Sequence, residues 1–401
     1  MKFLKGFGLA ILGFFLSLSL ITFGFVLTIN QTALNADFVV SEIDSFDSSL
    51  LVEEILVTEP TEEEFSQEFI ATVVDTVDSL EVTVKEQVAV AVHLTYDYLL
   101  RKRESPDLAD TLSNTFMNSE FVASLLDEVD IPTLAEEIYT EQIATEIPSE
   151  MEYLVDYLDD VIAELEPWLK EQAIAAADPF FAYLLGESQS LNVVIPLETA
   201  IETLHDAMEE AFWESPPPKY AGLTQSELQQ HFDEFFAEFI EILPSTPEGE
   251  HQFELDETVV GADIPAQVAD ALAEAEDGLE QARQYVGYFQ IGYKALIGFI
   301  LLLILGIVLI YREVKGSTRQ IGISSLVCGI FILAGFFIAN SIASSQLAKQ
   351  DIPSYLTEWL PQLIKNALTP LEIYGIGLMA AGAILIIVSF VYRRRKEYSY
   401  Y

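Results

Sequence analysis

Residues 291–310 read IGYKALIGFILLLILGIVLI. A helix of that length rises about 30 Å, the thickness of the hydrocarbon layer of a bilayer. Its one charge is Lys294, close to the start, so the stretch is predicted to cross a membrane. Working outward, Phe7–Leu27, Ile321–Ile342 and Ile373–Val391 pass the same test of length and apolarity. The expected fold class is therefore mainly α, with four transmembrane helices, a large helical extracytoplasmic domain and at most a small two-stranded ribbon.

The loops between these spans set the expected sidedness, because Lys and Arg favour cytoplasmic loops. Lys2 and Lys5 precede the first span, Arg312, Lys315 and Arg319 fill the turn between the second and third, and Arg393, Arg394, Arg395 and Lys396 follow the fourth. An even number of crossings puts all three clusters on one side. The domain plan is a cytoplasmic N-terminus (1–6), span 7–27, an acidic helical extracytoplasmic domain (28–290), span 291–310, a cytoplasmic turn (311–320), span 321–342, an extracytoplasmic amphipathic loop (343–372), span 373–391 and a basic cytoplasmic tail (392–401). The first span reads as a retained signal anchor, since its apolar run exceeds that of a cleavable leader and no small-x-small site follows it.

Lys294 lies within a turn of the interface beside Tyr285, Tyr288 and Tyr293, which suits a lysine that snorkels outward. The spans otherwise lack Asp, Glu, His and Arg, which argues against a proton-coupled pump or a single-chain ion pore. Small residues (Ser325 and Gly329; Gly375, Gly377, Ala381 and Gly382) are expected to let helices approach closely. Cys328, the single cysteine, falls in the third span; this excludes disulfides and thiol chemistry from the large domain.

That domain holds 59 of the 64 Asp and Glu, between Asp37 and Glu280, against seven Lys or Arg. Its formal charge is thus −52, against +7 for the rest of the chain. Such a surface repels nucleic acid and anionic headgroups. Screening by a saline exterior, protonation in an acidic one, or cations bound at the surface would each relieve the repulsion. A salty or cation-bearing environment is the preferred reading.

Regularly spaced apolar residues show that the acidic domain folds. Tyr153/Leu154, Tyr157/Leu158, Val161/Ile162 and Leu165 recur at helical spacing, as do Leu228, Phe232, Phe235, Phe236, Phe239 and Leu243, the latter helix opened by Thr224 and Glu227 in capping-box spacing. Asp130-Ile131-Pro132, Asp263-Ile264-Pro265 and Asp351-Ile352-Pro353 share a helix-start phrase, and Pro60, Pro106, Pro148 and Pro167 are expected to punctuate helices. Leu191, Val193, Ile195 and Leu197 alternate, as do Phe253 and Leu255, predicting two strands that pair. Pro216, Pro217 and Pro218 mark an extended elbow. Val268, Leu272, Leu279 and Val286 form a stripe running without a break signal into the second span. After the third span, Tyr355, Leu356, Trp359, Leu360, Leu363 and Ile364, with Lys349 and Lys365 nearby, read as a short helix on the membrane or under the acidic domain.

Candidate chemistry is sparse. Glu202 with His205, and Glu248 with His251, have the Glu-x-x-His spacing used by carboxylate-bridged metal helices, but glutamate is so abundant that the spacing is not specific. Acid groups such as Asp44/Asp47, Glu62–Glu64 and Asp156/Asp159/Asp160 read as solvated faces. Asn30-Gln31-Thr32 fits a glycosylation acceptor lying too near the membrane. Zinc-protease, phosphate-loop, calcium-loop and nucleophile-elbow motifs do not occur. No catalytic, cofactor-binding or metal residue is assigned, and no cofactor is expected.

At Tyr183-Leu184-Leu185-Gly186-Glu187, Leu191 to Leu197 and Gln281-Ala282-Arg283 the chain resembles prokaryotic polytopic membrane proteins with one span, a large helical outer domain and three further spans. The resemblance implies that layout and no activity. The span order also looks like that of permeases of the macrolide-exporter and cell-division type, but the turn Arg312–Gln320 is too short for much of an ATPase-docking helix, which leaves a likeness of topology. The expected protein is a non-enzymatic envelope component in contact with membrane lipid, whose outer domain binds a protein partner, with cations at its acidic surface and no nucleic acid. Alternatives are an accessory subunit for transport or signal transmission and an extracytoplasmic metal-dependent hydrolase.

Overall fold

The computed structural model describes residues 2–58, 67–133, 158–214, 220, 222–241, 243–244, 251–347 and 352–397. Among these residues it is predominantly helical with one two-stranded sheet. Helices α1 (Lys2–Gln31), α2 (Ala36–Asp44), α3 (Ser48–Thr58), α4 (Gln67–Leu99), α5 (Leu108–Thr115), α6 (Ser119–Glu128) and α7 (Leu158–Leu184) precede strand β1 (Asn192–Pro196). Then come α8 (Glu198–Glu214), α9 (Gln225–Glu241), β2 (Gln252–Asp256), α10 (Glu257–Val260), α11 (Ile264–Tyr311), α12 (Val314–Leu347) and α13 (Ser354–Glu397). The chain forms two units: Met1–Phe46 with Val92–Ser105 and Leu279–Tyr401, and Asp47–Ala91 with Pro106–Gly278. Helices α4 and α11 each contribute to both.

The first unit holds the four helices long and apolar enough to cross a membrane, within α1, α11, α12 and α13. Leu9, Leu16 and Leu20 of α1 meet Ile300, Leu303 and Ile307 of α11 and Cys328 of α12 in a buried seam. The buried Cys328 thiol donates to the Ser17 carbonyl at 3.4 Å. Helices α12 and α13 approach through glycine: a Cβ on Gly329 would sit 2.7 Å from the Gly375 carbonyl oxygen, and one on Gly382 2.6 Å from the Leu326 amide nitrogen. Gly377, expected to take part, faces open space. Outward-facing Phe14, Leu302, Phe331, Ile338 and Ile384 are all at least 60% exposed; so wide an apolar belt is stable only against lipid or protein.

One boundary differs from expectation. The amphipathic stretch after the third span does not end before the fourth: α13 runs unbroken from Ser354 to Glu397 with Pro361 and Pro370 inside it. Each proline removes one backbone donor, so the helix depends there on the contacts its neighbours make. Trp359 and Asn366, on either side of Pro361, are held by Glu42 of α2 through indole and amide hydrogen bonds of 2.9 Å. Helix α11 is one helix of 48 residues, so the stripe ending at Val286 runs on into the second span, in keeping with the missing break signal.

In the second unit, β1 and β2 pair antiparallel, Val193 opposite Leu255 and Ile195 opposite Phe253, as the alternation predicted. Tyr183, Leu191 and Val193 form a small core with Phe180, Ile195 and Leu255 packed on it. Asp130 accepts from the Thr133 amide and hydroxyl at the start of the turn that contains Pro132. Pro167, expected to punctuate, lies inside α7 with Pro179. Pro60, Glu62–Glu64, Pro148, Tyr153, Leu154, Asp156, Tyr157, Pro216–Pro218, Glu248, Lys349 and Asp351 lie outside the described residues.

Candidate functional site

The one His-bearing group that brings three metal-capable side chains together among the described residues sits on α8. His205, Asp206 and Glu209 each offer an atom within 4.8 Å of the others. The periodicity of α9 explains its floor: Phe232 and Phe236, four apart, turn to one side and are buried against Met208 and Phe212 of α8. The His205 ring stands edge-on to both, at 5.3 Å from Phe232 and 4.8 Å from Phe236, and this fixes the imidazole plane. His205 Nδ1 lies 3.1 Å from Asp206 Oδ1, while Gln229 donates from α9 to Glu209 at 2.8 Å and to Asp233 at 3.1 Å.

Chemically this offers one nitrogen and two carboxylates on a rim open to water, with the Asp206 side chain 82% exposed. Such a set suits a borderline divalent ion completed by water. Nothing in it orients a nucleophile or shelters a reacting group. Glu202, which shares the Glu-x-x-His spacing with His205, is not in the group; the group is completed by adjacent Asp206 and the residue one turn on, Glu209. Position i+4 is as close on a helix as i−3, and only the structure shows which carboxylates turn toward the ring. His251 lies beside β2, where its carbonyl accepts from the Leu197 amide, and its buried Nδ1 has no hydrogen-bond partner among the described residues. His93 lies 3.7 Å from Asp37 and His231 3.7 Å from Glu234, while the His231 ring stacks on Tyr220.

The first unit contains two polar arrangements that pattern reading missed. Glu42 is 6% exposed; its Oε1 accepts from Asn366, and its Oε2 has no partner among the described residues. Phe46 stands nearly perpendicular to Trp359 at 5.3 Å and to Tyr355 at 6.1 Å beside it. The second arrangement follows α4. Arg283 of α11 lies over the Tyr98 ring at 4.4 Å and donates to the carbonyls of Arg103 and Glu104 at 2.9 Å each. Arg101 adopts a left-handed backbone, φ 63°, and its guanidinium rests on Gly287. These contacts join positions about 180 and 324 apart, a separation no local period encodes.

The chain matches no protein-family model, no curated protein and no solved structure.

Proposed function

We propose that this is a multi-pass envelope protein with both termini in the cytoplasm, whose large acidic domain faces outward and binds a cationic component of the envelope or of a membrane complex. The supporting observation is the charge division: a segment of formal charge −52 lies between spans whose remaining connections carry Lys and Arg. The exposed apolar belt on the four long helices supports insertion in lipid. A cationic partner neutralises a dense acidic surface and gains long-range steering. No residue is proposed as catalytic.

Orientation is tested by impermeant thiol labelling of intact cells, with buried Cys328 as a silent background. Ser190→Cys is expected to label directly and Glu313→Cys only after permeabilisation; the reverse pattern overturns the orientation. Partner binding is tested by the native size of the full-length protein in membranes solubilised at low and high salt. A complex larger than the purified protein that dissociates in salt is expected, and purified-protein size at every salt concentration overturns it.

A second reading, an accessory subunit that transmits movement from the acidic domain to the spans, draws on the unbroken helix Ile264–Tyr311. Cross-linking of Lys315 or Arg319 to a cytoplasmic ATPase is the result it requires.

A further inference from the structure

Of the seven Lys and Arg between Asn30 and Gln290, four are Arg101, Lys102, Arg103 and Arg283. The structure gathers them beside the start of the second span. Two are committed locally: Lys102 pairs with Asp97 at 2.8 Å, and Arg283 caps carbonyls and covers Tyr98. Arg101 is different. It is exposed and has no carboxylate partner among the described residues, and its positive φ is a conformation that a non-glycine residue adopts at a cost. That backbone sets the guanidinium against α11, where a Cβ on Gly287 would lie 2.5 Å from Nη2 and 3.1 Å from Cζ.

Lys294 follows Gly287 by seven residues, two turns along the same face and about 10.5 Å further on. Helical side chains lean toward the N-terminus of their helix, which directs the Lys294 side chain back along this face toward the turn of Gly287. Below it the same face stays open: Ile291 is 66% exposed, no atom comes within 4 Å of a Cβ on Gly298, and Leu301 and Leu305 are 61% and 57% exposed. Tyr285 and Tyr288, 72% and 70% exposed, mark headgroup depth. Cations at the interface above an uncovered apolar strip are complementary to a lipid and not to a free ion.

We infer that Arg101 and Lys294 hold the phosphate of an anionic phospholipid whose acyl chains lie along the Ile291–Leu305 face of α11. The inference rests on the membrane reading above.

The test uses the full-length protein in phosphatidylcholine nanodiscs titrated with phosphatidylglycerol, with bound lipid counted by native mass spectrometry. One tightly held phosphatidylglycerol is expected. Arg101→Asn, which tolerates the left-handed backbone, and Lys294→Gln are each expected to weaken it about fivefold, since an interfacial cation contributes about 1 kcal/mol. Gly287→Ala keeps both charges but displaces the guanidinium, and is also expected to weaken binding; Lys102→Gln is expected to leave it unchanged. Equal loss from Lys102→Gln and Arg101→Asn, or no loss in any variant, overturns the site. Competition by inorganic phosphate at the same strength overturns the lipid as occupant. Release of the wild-type protein from membranes by alkaline carbonate would instead refute the membrane reading itself.

Discussion

Asn366 Nδ2 donates to Glu42 Oε1 at 2.9 Å, tying the helix after the first span to the helix that becomes the fourth. Removing one partner of a buried carboxylate leaves the other uncompensated, which costs more than the net value of the bond. Asn366→Ala is therefore expected to lower stability by about 2 kcal/mol. The loss should shrink when Glu42 is replaced by Leu in the same chain, a non-additivity read from thermal unfolding of the four variants in detergent.

The glycine contacts between α12 and α13 predict a sharp positional contrast. Gly329→Val places new atoms where Met379 and the Gly375 carbonyl already lie, whereas Gly335 and Gly377 face open space. Overpacking costs about 1–3 kcal/mol; the first variant should lower the melting temperature of the full-length protein, while Gly335→Val and Gly377→Val leave it within error. Equal effects at the three positions would contradict the packing described.

His205 is expected to act through its ring. His205→Phe should keep the edge contacts to Phe232 and Phe236, while His205→Ala loses about 1 kcal/mol of aromatic packing. Neither variant nor wild type should respond to chelator. A zinc-dependent gain in melting temperature seen in wild type and absent from His205→Phe would make the cluster with Asp206 and Glu209 a metal centre.

Three carboxylates give a signed pH dependence. Asp47 is held below its ordinary range chiefly by the Ser49 hydroxyl, Glu227 by the Thr224 amide and hydroxyl, and Asp256 by the Thr258 hydroxyl and amide. A depressed folded-state pKa contributes stability that is full above the unfolded value, near 4, and is lost as pH falls through the lower folded value. Glu227→Gln and Asp256→Asn should each flatten the loss of stability below about pH 4, measured by chemical denaturation at several pH values.

Diffuse repulsion in the acidic segment predicts a gradual rise of melting temperature with NaCl, matched by other monovalent salts at equal ionic strength. A steep rise with millimolar calcium alone would point instead to discrete cation sites.

Elements set by local period were legible in the sequence. The four long apolar helices, the Phe232/Phe236 stripe, the pairing of Val193 with Leu255 and the Thr224–Glu227 cap all arise from spacing that a single segment carries. Pro167 misled because a breaker stops a helix only when nothing else holds it: α7 continues through it, just as α13 continues through Pro361, where Trp359 and Asn366 are pinned. The polar contacts of Glu42 and Arg101 were hidden for another reason. Each depends on which distant segment the chain brings alongside, and Arg101 also on a backbone conformation that its residue type does not favour.

Helix α11 commits the chain to a strict count. Each residue added to an α-helix rotates the remainder of that helix by about 100°, and between Gly287, which receives Arg101, and Leu303 and Ile307, which meet the first span, no loop exists to absorb a change. A single inserted residue would swing the Arg283–Gly287 face about a quarter turn away from Tyr98 and Arg101 while the bundle seam stayed in place. Insertions and deletions should be rejected between positions 287 and 303, a phasing constraint that a deletion scan scored by membrane insertion and expression would reveal.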